Sequence, residues 1–72
     1  MKVRAQTIKK GDLVLHLGHW EPITKIRVDV KLDTEGRWDT TVQLWSVGTE
    51  QDDYLLVACK GNKEFEVIRD FN

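Results

Sequence analysis

Residues 26–44, IRVDVKLDTEGRWDTTVQL, constrain this chain more than any other stretch. Ile26, Val28, Val30 and Leu32 alternate with Arg27, Asp29 and Lys31. Period two marks a strand with one dry and one wet face. Trp38, Val42 and Leu44 resume the pattern after a break at residues 33–37, so the stretch reads as a long β-hairpin. Its register can be deduced. A loop of Thr34, Glu35 and Gly36 pairs Asp33 with Arg37, then Leu32 with Trp38, Val30 with Thr40, Val28 with Val42 and Ile26 with Leu44. The other face then pairs Lys31 with Asp39, Asp29 with Thr41 and Arg27 with Gln43. A shorter loop of Glu35 and Gly36 would set Leu32 against Asp39 and Val28 against Gln43. A one-residue slip exchanges the faces, so the apolar pairing selects the longer loop. Such a loop ends on a residue with positive φ, where glycine carries no steric penalty, and Gly36 stands there.

The remaining strands follow from turn signals. Residues 3–6 form a short strand candidate. Ile8 anchors a turn that ends at Gly11 and Asp12. Residues 13–17 are a strand, with Leu13, Leu15 and Leu17 on one face and Val14 and His16 on the other. Gly18 and His19 fit a two-residue turn with glycine first. Residues 20–32 are too long for one straight strand: Ile23 falls on odd positions and Ile26 onward on even ones. The phase change predicts a bulge near Thr24 and Lys25. Pro22 cannot donate to a ladder, which puts it at an edge or bend. Residues 47–53 are a polar loop. Residues 54–60 and 63–69 are strands flanking Gly61 and Asn62, read as a second hairpin with Ala58 opposite Phe65 and Leu56 opposite Val67. No helix is convincing. The expected fold is all-β: a small barrel of five or six antiparallel meander strands, because closure removes exposed edges.

At 72 residues the chain is one domain at most. With 40% hydrophobic and 32% charged residues it belongs with globular proteins. No apolar run approaches the ~18 residues of a membrane span, and the N-terminus lacks the apolar segment of a secretion signal. One cysteine, Cys59, gives no internal disulfide and favours a reducing, cytoplasmic setting. A net charge of −1 with scattered lysines and arginines is no footprint for nucleic acid.

Residues 8–14 (IKKGDLV), Gly18-His19-Trp20 and residues 23–26 (ITKI) together resemble the opening of small SH3-like barrels, including the KOW-type modules of ribosome- and transcription-associated proteins. The resemblance covers residues 7–32 and implies the barrel fold. The basic, glycine-rich stretch through which KOW modules meet RNA is absent, and Glu21 and Pro22 stand nearby. The chain also looks like small orphan barrels of bacterial and phage genomes.

Chemistry is sparse. His16, His19 and Cys59 are the only imidazole and thiol groups, too few for a local four-ligand zinc site. Neither a nucleophile motif nor a phosphate-cradling glycine loop occurs. No catalytic residue, metal or cofactor is expected. Of the three tryptophans, Trp38 falls on the dry hairpin face and is expected in the core. Trp45 falls on the wet face beside Lys25 and Arg27, either as an exposed anchor or as a ring under their cationic stems. Trp20 caps an end. Leu55, Val57, Cys59 and Ile68 would share the outer face of the last hairpin, an apolar patch calling for a cover. Only the N-terminal segment and Phe71 remain to supply one, so a homodimer or a partner-bound state using that face is expected. The reading is a non-catalytic binding module for a protein partner or for itself. The alternative is a nucleic-acid-binding barrel using Trp45, Arg27, Lys25 and Trp20.

Overall fold

A computed structural model describes residues 1–48 and 52–69. It is all-β. Strands β1 (Lys2–Arg4), β2 (Leu13–His16), β3 (His19–Leu32), β4 (Trp38–Val47), β5 (Asp53–Lys60) and β6 (Glu64–Ile68) form one antiparallel sheet in the order β1-β6-β2-β3-β4-β5. A single 3-10 turn at Ala5–Thr7 is the only helical element among the described residues. Phe71 lies outside them, as do residues 49–51 of the polar loop.

The β3–β4 register is the one the apolar pattern selects. Val28 pairs with Val42, Val30 with Thr40 and Leu32 with Trp38. The Asp33 N–H donates to the Arg37 carbonyl at 2.8 Å, and Gly36 sits at φ 78°. The Asp33 carboxylate accepts from the N–H groups of Glu35 and Arg37, both at 2.8 Å. The expected bulge is also present: the ladder shifts between Ile23 and Lys25. It lies just past the change of partner in β3, whose residues 19–22 pair with β2 and whose pairing with β4 starts at Ile23.

Two turns differ from expectation. The first β-turn is at Leu17 and Gly18 rather than Gly18 and His19, with φ of 50° and 82°, and His16 pairs with His19. Both turns leave Val14 and Ile23 on the same face, so hydrophobic patterning cannot separate them. The observed one continues through Asp12: Ile23 N–H donates to its carbonyl at 2.9 Å, and Gly11 N–H donates to the Ile23 carbonyl at 2.8 Å. The second difference is larger. The turn after β5 forms, with Lys63 N–H donating to the Lys60 carbonyl at 3.1 Å, but β5 and β6 do not pair. Ala58 faces Gln43 of β4, and Phe65 faces Val3 of β1. The turn is a corner. Gly61 N–H donates to Thr40 O (2.8 Å), while its carbonyl accepts from Gln6 N–H (3.0 Å). A Cβ on Gly61 would stand 2.8 Å from Gln6 Oε1 and 2.9 Å from Thr40 Cγ2, so the corner needs a residue without one.

That corner dictates the shape. In a flat sheet β5 and β6 would lie four strand spacings apart, roughly 19 Å. A β-turn holds its ends within about 7 Å. The sheet must therefore curl until its two ends approach. Its ladder nevertheless stays open, with β1 and β5 as edges, so it is not closed into a barrel. The concave side holds Ala5, Ile8, Val14, Ile23, Val42, Leu44, Phe65 and Val67, all buried. Ile8 is the inward anchor its position suggested. Asp12, 5% exposed, accepts from Lys9 N–H (2.9 Å) and from Arg69 Nε (3.0 Å). Arg69 also donates to the Thr7 carbonyl at 2.8 Å, tying the end of the sheet to the loop before β2.

Candidate functional site: an uncovered β-ribbon

The core cannot follow the long hairpin to its tip. Along the face that buries Val42 and Leu44 completely, exposure rises to 46% at Val28, 55% at Val30, 58% at Leu32 and 72% at Trp38. β5 covers β4 only from Thr41 onward. Beyond that rung β3 and β4 form a two-stranded ribbon with an apolar face in solvent. Trp38, expected in the core, is thus the most exposed tryptophan. Its facing was read correctly, but a core built on eight buried apolar side chains has nothing left to lay over it.

The other face of the hairpin is polar, and charges on it find partners within the molecule. Arg27 lies 3.6 Å from Asp29, and Lys60 reaches Asp39 at 2.6 Å. At the root of the ribbon an open groove of about 390 Å³ runs between Trp38 and Thr40 on one side and Gln6, Gly61 and Asn62 on the other. The Lys60–Asp39 bridge lies at its rim.

The residues singled out from sequence fall elsewhere. Lys25 pairs with Trp45, and Arg27 follows on the same face beside Gln43. The Lys25 ammonium stands 4.9 Å from the Trp45 ring centroid, so it covers the half-buried ring. Trp45 Nε1 is buried without a hydrogen-bond partner among the described residues. Trp20 pairs with Leu15 near the β2–β3 turn, on the far side of the bulge.

Leu55, Val57, Cys59 and Ile68 do not share a face as the expected hairpin would have had it. Val57 and Cys59 oppose the buried Leu44 and Val42 and pack against the core. Leu55 opposes Trp45 on the outside, and Ile68 lies on β6 opposite Leu13. A second bulge, between Leu44 and Trp45, turns the phase of β5 over at Leu56. Nothing in the residue pattern of β5 announced it.

His16 and His19 face each other across a turn, and Cys59 lies on β5. Burial pushes the Cys59 thiol above its ordinary range, with Lys63 acting weakly in the opposite sense. That favours the unreactive protonated form. Tyr54 is also raised, by partial desolvation and then by its 3.1 Å hydrogen bond to Glu21 and that residue's charge. Among the described residues no group of three His, Cys, Asp or Glu side chains is placed to hold a metal ion.

Compared with known proteins, the chain matches no family model, no curated protein and no solved structure.

Proposed function

We propose that the chain is a non-catalytic binding module, a small SH3-like barrel in the wider sense, that holds a protein partner against its apolar ribbon. The observation that carries this is the exposure gradient from Val28 to Trp38. Strict alternation continues for several residues past the point where the core can use it. A tryptophan flanked by aliphatic side chains on one open face has the composition of an interface hot spot. The groove at the ribbon's root gives the same partner a concave seat. The curled sheet, and the return of β6 to pair with β2 after the meander, support the barrel reading.

Nucleic acid is the weaker reading. The Trp45 ring is covered by Lys25, and the formal charge is −1, so neither a free stacking platform nor a basic field supports it. With one cysteine in 72 residues, the module fits a reducing, cytoplasmic setting.

The test is affinity capture from the native host, with and without nuclease, using the wild type and Trp38→Ala. The reading expects a protein that survives nuclease and is lost with Trp38→Ala while β-sheet circular dichroism is unchanged. Capture that persists in Trp38→Ala overturns it, and capture abolished by nuclease favours the nucleic-acid reading instead.

A further inference from the structure

The two edges of the sheet are unlike. β1 is three residues long, and both Lys2 and Arg4 are exposed on it. Short, charged edges resist pairing with other chains. β5 is eight residues long, and its residues 54–59 include neither a charge nor a proline. Among the described residues, none of the backbone groups that residues 54–59 turn away from β4 has a hydrogen-bond partner. Such an edge is a template for a further strand.

The sequence of β5 specifies which strand fits. Laid antiparallel to a second copy of itself about a two-fold axis, it sets Asp53 against Lys60 at both ends. Between those ends Tyr54 meets Cys59, Leu55 meets Ala58, and Leu56 meets Val57. In a regular strand this register would oppose residues that point to different faces. The bulge at Leu56 removes the conflict. Tyr54 lies opposite buried Ser46, and Cys59 opposite buried Val42, so both face the core side. Leu55 and Ala58, opposite Trp45 and Gln43, both face outward. A sliding of the pairing by one or two residues would break these matches and set Asp53 or Lys60 against an apolar side chain.

We propose that two copies pair along β5 in this register and merge their sheets into one. The end charges are available for it. Asp53 accepts the Thr24 hydroxyl at 2.8 Å and Lys60 holds Asp39, yet both side chains remain exposed. The interface is separate from the apolar ribbon and does not rest on the function proposed for it.

Sedimentation velocity over a concentration series to about 1 mM tests the pairing. The wild type is expected at twice the 8.4 kDa of one chain. Lys60→Glu sets a carboxylate against Asp53 at both ends and should weaken the dimer about tenfold or more. Asp53→Lys, which sets lysine against lysine, should do the same. Combining the two substitutions should restore the wild-type mass, and Trp38→Ala should leave it unchanged, all with β-sheet circular dichroism intact. A wild type that stays monomeric throughout overturns the pairing. A dimer indifferent to both single reversals overturns it too, and one lost in Trp38→Ala places self-association on the ribbon instead.

Discussion

Gly36 closes the ribbon at φ 78°, and a Cβ there would meet nothing within 4 Å. Any penalty for substitution is therefore backbone strain and not collision. Gly36→Val is expected to destabilise the fold by about 1–3 kcal/mol, measured by urea unfolding, whereas Gly36→Asn should cost clearly less because asparagine tolerates left-handed backbone. Cys59 gives a residue-scale prediction about pH. Its folded-state pKa is raised by burial, so its contribution is fully present below the ordinary thiol value and is lost as pH rises from there through the raised folded-state value. Stability of the wild type should therefore fall more than that of Cys59→Ser as pH climbs from neutral into the alkaline range. Equal slopes would show that the thiol titrates freely.

At the scale of elements, the structure depends on a few ties between segments that the sheet alone leaves loose. The Arg69 side chain, 21% exposed, binds the buried Asp12 carboxylate and also reaches the Thr7 carbonyl. Asp12→Ala leaves Arg69 Nε and the Lys9 N–H without their acceptor and the guanidinium without its counter-charge, which should cost about 3 kcal/mol. Loss of Arg69 alone should cost less, since Asp12 keeps its backbone donor. Chemical denaturation of both variants would rank them. These ties also mark the limit of what the sequence disclosed. The β3–β4 register was legible because only one pairing keeps Val28, Val42, Ile26 and Leu44 together. The Thr24 bulge was legible because Ile23 and Ile26 cannot share a straight strand's face. The fate of β5 and β6 was not, because the Gly61 turn suits a hairpin and a corner equally. What decides for the corner is distant: Thr40 and Gln6 take the hydrogen bonds of Gly61. The candidate site was half legible in the same sense. Alternation identified the apolar face of the hairpin, but not how far along it the core would extend.

For the molecule as a whole, extents of 41, 27 and 24 Å and a radius of gyration of 13.0 Å, against about 11 Å for a compact domain of this length, mark an elongated shape. A core of eight buried apolar side chains sits near one region, while the ribbon from Val30 to Asp39 has no third strand and no second layer. An isolated two-stranded ribbon is marginal in water, and local opening is easiest where buried contacts are few. Amide hydrogen exchange should therefore grade along β4. The N–H groups of Val42, Leu44 and Ser46 should exchange only with global unfolding, and ladder amides near Trp38 should exchange orders of magnitude faster through local opening. Partner binding on the apolar face should slow the tip amides without much change at Leu44, because only the ribbon has unrealised stability to gain. Uniform protection along β4 in the free protein would mean that the ribbon is held by something other than its own ladder. In that case the open face would already be covered in solution, and a further copy of the chain would be the first occupant to test for.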